Sequence, residues 1–434
     1  MLRILFVHQN FPGQFKHLAE YLSAKPGVQV VALGEQSNLD RYPPPSGVKR
    51  YAYKLHRGNT PNQHPYLRNI EAGILRGQAV ARSALDLRKR GFVPDLICAH
   101  PAWGEALYLA DVFPESRLLS YNEFYYRGHG ADVGFDPEFP ATLDSRLRVR
   151  TWNMVQQSTF FASTWGISPT RWQASVYPPE FQTRMSVIHD GINTRLLTPD
   201  RAATFTLNDG KVLSWEDEIV TFVSRGLEPY RGIHIYMRAL PELMRQRPLA
   251  HFVMVGGDKP SYGKSPPDAA NWRTKLLKEI AAHIDLKRLH FVGKIPHSQF
   301  VALLRISRAH VYLTYPFVLS WSMLEAMALG APIVASSTAP VREVLQHQRN
   351  GLLFDFFDQD ALIASVCRVI EDTDLREALV QTARTDVVRQ FDLEKICLPA
   401  QLRLIDDLVN GRTPHRRAQH SEKSRTQTSK QPIP

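Results

Sequence analysis

The strongest constraint on this chain is that it spells one local pattern twice: an apolar run, a breaker, a helical stretch and a second apolar run. Residues 3–9 (RILFVHQ) are mostly apolar, 10–13 (NFPG) interrupt them, 14–24 carry apolar residues at helical spacing, and 28–33 (VQVVAL) are extended again. The alternation continues with a helix over 69–90, a strand at 95–99, a loop at 100–104 and a helix from Glu105. A second series starts after Asp200: EIVTFVSR, a helix over 233–245, HFVMVGG, a helix over 271–283, LHFVGK, AHVYLTYP, a helix over 322–329 and PIVASS. Near-continuous apolar strands alternating with helices imply parallel sheets covered on both faces. Two doubly wound α/β units are therefore expected, 1–200 and 201–392, with the border inside 194–213, where polar and loop-forming residues collect.

Length agrees, since 434 residues exceed what one hydrophobic core organises. No run approaches the roughly 20 apolar residues that cross a bilayer, and residues 4–7 are too short for a signal peptide. Cys98, Cys367 and Cys397 are far apart and odd in number, which fits neither a disulfide framework nor a metal site and points to a reducing cytoplasm. The formal charge of +11 divides into +5 for 1–200, +1 for 201–410 and +5 for 411–434. The last segment has almost no apolar residues and reads as a disordered basic tail. Clusters at Arg88, Lys89, Arg90 and at Arg146, Arg148, Arg150 are either a solvated face or a peripheral contact with an anionic membrane. Nucleic acid is not an expected partner, because the tail holds nearly half of the surplus.

In open α/β sheets, ligands bind beyond the carboxyl ends of strands, so the loops there are where chemistry is sought. After EIVTFVS comes Arg225-Gly-Leu-Glu-Pro-Tyr-Arg231-Gly232, two guanidinium groups whose forks match phosphate oxygens, or else two ordinary surface arginines. Gly256 and Gly257 follow HFVMV, and allow a ligand close to the backbone or simply make a turn. The helix expected from Ser322 presents the backbone N–H groups of Ser320, Trp321, Ser322 and Met323, with the positive end of its dipole, to an anion such as a diphosphate. Glu325, one turn inside, would bond ribose hydroxyls, or would close an S-x-x-E capping box with Ser322; spacing alone does not separate the two. No D-x-D element follows a strand in the second half and no His/Cys cluster is present, so neither metal nor cofactor is expected.

The run 324–336 (LEAMALGAPIVAS), together with 225–232 and 187–193 (VIHDGIN), resembles the retaining glycosyltransferase family 4, and the resemblance covers nearly the whole folded chain. Residues 4–15, 121–126 and 134–140 look like one subgroup of that family. The resemblance implies the GT-B fold, two Rossmann-like domains facing across a cleft, with an acceptor on the first and a nucleotide-diphosphate sugar on the second. A final helix over 393–410 is expected to pack back toward the first domain. Position by position, Arg225 and Arg231 match the family's basic pair for the donor diphosphate, and Glu325 matches the second glutamate of an E-x7-E motif. The first glutamate of that motif falls at Phe317, a departure that the subgroup shares and that implies altered donor contacts. Gly13 falls in the loop near the reacting centre or is simply a turn glycine, His100 matches a histidine facing the donor sugar or is a satisfied polar residue at a strand end, and Gly293 and Lys294 fall where base and sugar are selected.

The expected activity is retaining transfer of a sugar to a glycan or lipid-linked saccharide, as in polysaccharide biosynthesis. The anomeric centre would be attacked from the front face, the departing phosphate taking the acceptor's proton. The competing expectations are a GT-B enzyme that is not a transferase, such as a nucleotide-sugar epimerase, and a GT-B protein that binds without turnover because Phe317 replaces a carboxylate.

Overall fold

In the first strand, β1 (Leu2–Val7), Ile4 and Phe6 join one buried cluster and Leu5 and Val7 another, so the strand is covered on both faces. The computed structural model describes residues 1–41 and 43–415. β1 lies in a parallel sheet with β2 (Val28–Glu35), β3 (Lys49–Tyr53), β4 (Leu96–Ala99), β5 (Arg117–Tyr121), β6 (Trp165–Ser168) and β7 (Met185–Val187), in the order 3-2-1-4-5-6-7. A short antiparallel hairpin, β8 (Phe205–Thr206) and β9 (Val212–Leu213), precedes the second sheet. That sheet is parallel throughout, with β10 (Ile219–Gly226), β11 (His251–Gly257), β12 (Leu289–Gly293), β13 (Ala309–Tyr312), β14 (Ile333–Ser336) and β15 (Leu352–Phe354) in the order 12-11-10-13-14-15. Both orders reverse direction beside the first strand of their unit, which opens a crevice at the carboxyl edge of each sheet.

The helix expected from Glu105 is not formed; only Leu109–Val112 is helical. Gly104 lies on the helix Leu67–Lys89, at φ +100, where an added Cβ would stand 2.2 Å from the Gly73 carbonyl oxygen. Glu105 then turns inward and accepts the Tyr53 hydroxyl at 2.9 Å, so packing replaces the local propensity.

The chain crosses between the units twice, side by side. Ile192 N–H donates to the Phe391 carbonyl (2.7 Å), and Leu393 N–H donates to that of Ile192 (2.9 Å). The guanidinium of Arg384 donates to the carbonyls of Leu197 (2.9 Å), Thr194 (3.3 Å) and Ala328, fastening the crossing to the second unit. A π-helical turn, Leu393–Cys397, leads into the helix Leu398–Val409, whose Leu404, Ile405 and Leu408 are buried with Ile4 and Phe6 of the first sheet.

A second junction comes from a loop of the first unit. Asp136 accepts the Tyr315 hydroxyl at 2.6 Å and lies 2.8 Å from His234 Nε2, while Glu138 pairs with Arg238 at 2.6 Å. Phe124 meets Phe317 at 4.6 Å between ring centroids, so a single apolar cluster runs through both units.

The basic tail expected from 411 begins later than its composition suggests. Arg412 pairs with Asp406 and Asp407, Pro414 is buried, and the Ser186 hydroxyl donates to the His415 carbonyl at 2.5 Å. Residues 416–434, the rest of that expectation, lie outside the described residues. Among the described residues no helix is long and apolar enough to cross a membrane.

Candidate functional site

A cleft of about 590 Å³ opens where the carboxyl edges of the two sheets meet. Its C-terminal wall is built on β10 and the turn after it. Arg231 closes that turn, is only 6 % exposed, and donates through Nη1 to the Thr314 hydroxyl (2.8 Å) and the Val318 carbonyl (3.0 Å). The rings of Tyr262 and Phe317 lie 5.3 and 5.8 Å from its Cζ, so the cation is held by a hydroxyl, a carbonyl and two π faces. No carboxylate is among these contacts to neutralise it. Arg225, at the end of β10, is exposed on the same wall, and its side chain has no hydrogen bond or ion pair among the described residues. The two arginines of the sequence pattern thus meet in one cleft but differ in kind: one is pre-set, the other free to swing.

Between them, Glu228 is fully buried and accepts from the backbone N–H groups of Ser261 (2.7 Å), Tyr262 (3.1 Å) and Gly263 (2.6 Å). A carboxylate in such a nest fixes the loop, and so fixes the Tyr262 ring against Arg231.

The helix Trp321–Leu329 aims its N-terminus at the cleft, with Ser320 and Trp321 in the lining. Its amides are less free than the sequence suggests. Ser320 N–H donates to the Tyr312 hydroxyl (2.9 Å), Ser322 N–H to Ser320 Oγ (3.2 Å) and Met323 N–H to the Ser320 carbonyl (3.3 Å). Ser320 acts as N-cap and the helix starts one residue earlier than expected, which uses these donors and leaves the Trp321 N–H. The same shift disposes of the capping box between Ser322 and Glu325. Glu325 lies beyond the cap, and its Oε1 pairs with His297 Nε2 at 3.0 Å, outside the lining of the cleft. The Trp321 indole crosses to the first unit and donates to Asp190 Oδ2 at 2.9 Å.

Gly256, Gly257, Gly293 and Lys294 also lie outside the lining. Packing accounts for two of these glycines. A Cβ at Gly256 would stand 2.9 Å from Leu227 Cδ2, and one at Gly257 would stand 2.6 Å from Lys294 Cε, whose side chain lies over that position.

The N-terminal wall comes from the loop after β1 and from the end of β5. Gly13 lines the cleft at φ +49, and an added Cβ would stand 2.6 Å from the His8 ring, so only glycine lets this loop cover the histidine. His100 does not line the cleft. It is 1 % exposed, stacked on Trp103 at 4.2 Å, and stands behind Glu123, with Nε2 3.7 Å from Glu123 Oε2. Glu123 lines the cleft and accepts from Gln14 Nε2 at 2.8 Å. Burial works to raise its pKa, but His100 and the hydrogen bond from Gln14 outweigh burial and hold the carboxyl below its ordinary value. His8 is pushed down to about 3, first by burial and then by His100, so it stays neutral at physiological pH.

Glu123, Gln14 and Tyr262 are cleft residues that sequence reasoning does not select. For Glu123 a signal exists, since it stands two residues beyond a strand's carboxyl end; β5 itself does not stand out as a strand in the sequence.

Residues 26–197 match the Glycosyl transferase family 4 group and residues 206–386 match the Glycosyl transferases group 1 family. Glycogen synthase of Mycobacterium tuberculosis is 24% identical over 415 residues, 91% of this chain and 92% of that protein. Other curated relatives are matched over about half of their own length. Sucrose-phosphate synthase of Thermosynechococcus elongatus superposes with a TM-score of 0.71 at 17% identity, covering 95% of this chain and 100% of that one. Anabaena HepE in complex with UDP-glucose superposes with a TM-score of 0.63 at 17% identity over 94% and 100%. The fold is GT-B. The chain belongs to the family 4 type of glycosyltransferases.

Proposed function

We propose that this glycosyltransferase retains anomeric configuration and moves a sugar from a UDP- or GDP-linked donor, held by its C-terminal half, to a saccharide or lipid-linked acceptor presented by its N-terminal half. The observation that carries the reading is the Arg231 guanidinium, held in the cleft with no carboxylate among its hydrogen-bond partners and beside Arg225, whose side chain is unpaired among the described residues. Fixed positive groups aimed at a departing diphosphate lower the barrier without reorganising, each by about 3–4 kcal/mol where such donors have been removed. The fold neighbour HepE is solved in complex with UDP-glucose, which favours a uridine donor.

In this reading the acceptor oxygen bonds to the anomeric carbon as the bond to the diphosphate oxygen breaks on the same face. The proton passes to that departing oxygen. Arg231 and Arg225 hold the diphosphate, with the Trp321 N–H and the helix dipole behind them. Glu325 reaches the ribose once His297 yields, and Gly293 and Lys294 border the base. Glu123, positioned by Gln14 and His100, faces the sugar from the other wall and supplies the carboxylate that Phe317 lacks in the family position. The reading assigns the diphosphate charge to the guanidinium groups and names no metal.

The acceptor side includes a membrane. Leu143, Leu147, Met154 and Phe161 are exposed at helical spacing along Leu143–Ala162, flanked by Arg146 and Arg150, as in helices that lie on anionic bilayers. The chain then works at the cytoplasmic face, and co-sedimentation with phosphatidylserine vesicles but not phosphatidylcholine vesicles is the expected outcome.

A thermal-shift panel of nucleotide sugars tests the donor, because a ligand of the folded state raises its melting temperature. Nucleoside diphosphate release with and without acceptor extract then separates the readings. Acceptor-dependent release supports transfer, release with free or epimerised sugar supports a non-transferase enzyme, and a thermal shift without turnover supports a binding protein.

A further inference from the structure

A second cavity, of about 390 Å³, lies on the far side of Tyr262 from the donor cleft. Its volume falls within the roughly 300–1,000 Å³ of small-molecule sites. Both units build it: Tyr126, Asp132 and Trp152 come from the first, Tyr230, Tyr262 and Tyr315 from the second. Tyr126 and Trp152 are stacked at 4.3 Å with an interplanar angle of 18°. Tyr262 borders both cavities, and its backbone is fixed by Glu228, so the two spaces adjoin at this residue.

The lining also holds Asp136, Ser145, Arg148 and Lys264; among its carboxylates Asp132, 2 % exposed, is the one with an oxygen left without a partner. Its Oδ2 accepts the Tyr230 hydroxyl at 2.9 Å, while its Oδ1 has no partner. Burial pushes its carboxyl up to about 6. A buried carboxylate oxygen without a donor is costly unless something supplies one. Hydroxyl groups beside the C–H faces of a pyranose match this combination, since the C–H face packs on an aromatic ring while the edge hydroxyls donate to an acceptor oxygen.

We propose that this cavity is the acceptor subsite and that it holds a pyranose residue of the acceptor saccharide, packed against the stacked Trp152–Tyr126 pair with a hydroxyl donating to Asp132 Oδ1. The proposal rests on the transferase reading above, and it places donor and acceptor on either side of Tyr262. The loop carrying Asp132 and Asp136 is then more than a junction between the units: by docking on Tyr230 and Tyr315 it completes the wall of the subsite.

The test is binding of the full-length chain, saturated with UDP, to an array of immobilised oligosaccharides, with the thermal shift by UDP as a parallel measurement. Trp152→Ala and Asp132→Asn are expected to weaken the strongest array signals about ten-fold or more, as truncation of a binding anchor does. Trp152→Phe, which keeps a ring, is expected to retain most of the signal, and all three variants keep the UDP shift, which reports an intact fold and donor site. Array binding unchanged in Trp152→Ala and Asp132→Asn, or no saccharide bound by the wild type, overturns the subsite. A wild type that binds saccharides but gives no UDP shift strikes the donor reading instead and leaves the array to decide the cavity.

Discussion

The two walls of the cleft solve different problems. The C-terminal wall is a field of positive charge set in advance: Arg231 is locked by a hydroxyl, a carbonyl and two rings before anything binds. The N-terminal wall carries a carboxylate, Glu123, backed by histidines and a glutamine, with its pKa held down by its neighbours. One wall is suited to grip an anion and the other to face a neutral sugar. The contrast teaches that both walls are assembled from distant segments, Arg231 by Thr314 and Val318 and Glu123 by Gln14 and His100, and that they differ in the sign of the charge so fixed.

The sharpest way to separate the walls is Arg231→Ala. Loss of this cation is expected to lower kcat/KM by about 10²–10³-fold and to abolish the thermal shift by UDP, with Arg231→Lys recovering part of both. A full UDP shift in Arg231→Ala would end the diphosphate role. Glu123→Gln is expected to cost turnover about 10²-fold, the lower end for a positioned carboxylate, while leaving the UDP shift intact. If Glu123→Gln instead removed the shift, the division of labour between the walls would be wrong.

Arg225→Ala should act more gently, about ten-fold on donor KM, because its charge is exposed and held by no partner; the loss should shrink at high salt, where exposed charges are screened. The smallest effect is expected where the walls are joined. Burial raises Asp190 to about 7, although Tyr121 and Trp321 both donate to its Oδ2. The folded chain therefore holds this proton longer than the unfolded chain, whose carboxyl titrates near 3.9. The stabilisation from that proton is complete below about pH 4 and is lost as pH rises through about 7. Asp190→Asn should flatten this dependence, so melting temperature falls less between pH 5 and pH 8 than in the wild type. An unchanged slope would show that Asp190 is ionised in the native state throughout.

Much of the fold is legible in the sequence. The longest apolar runs form β1, β2, β10 and β11, and the helices at Leu67–Lys89, Ile233–Gln246 and Trp321–Leu329 lie within two residues of their expected bounds. Short strands such as β3, β5 and β6 do not stand out, because four or five residues carry too little period to be told from a loop. The same gap hides Glu123, since its position beyond a strand has meaning only once β5 is a strand. His100 is legible as a residue after a strand, but its burial behind Glu123 is not.

What the sequence determined alone are properties carried within a few turns of chain: alternating strands and helices, two units, and a pair of arginines, one at the end of β10 and one on the turn after it. Tertiary structure decided which atoms were spoken for. Ser320 and Tyr312 took amides that looked free, Lys294 covered Gly257, His297 engaged Glu325, and Asp132 met Tyr230 from 98 positions away along the chain. Local pattern follows from backbone geometry and nearby side chains, but the availability of a polar group depends on every other group that can reach it, and those arrive only when distant segments pack.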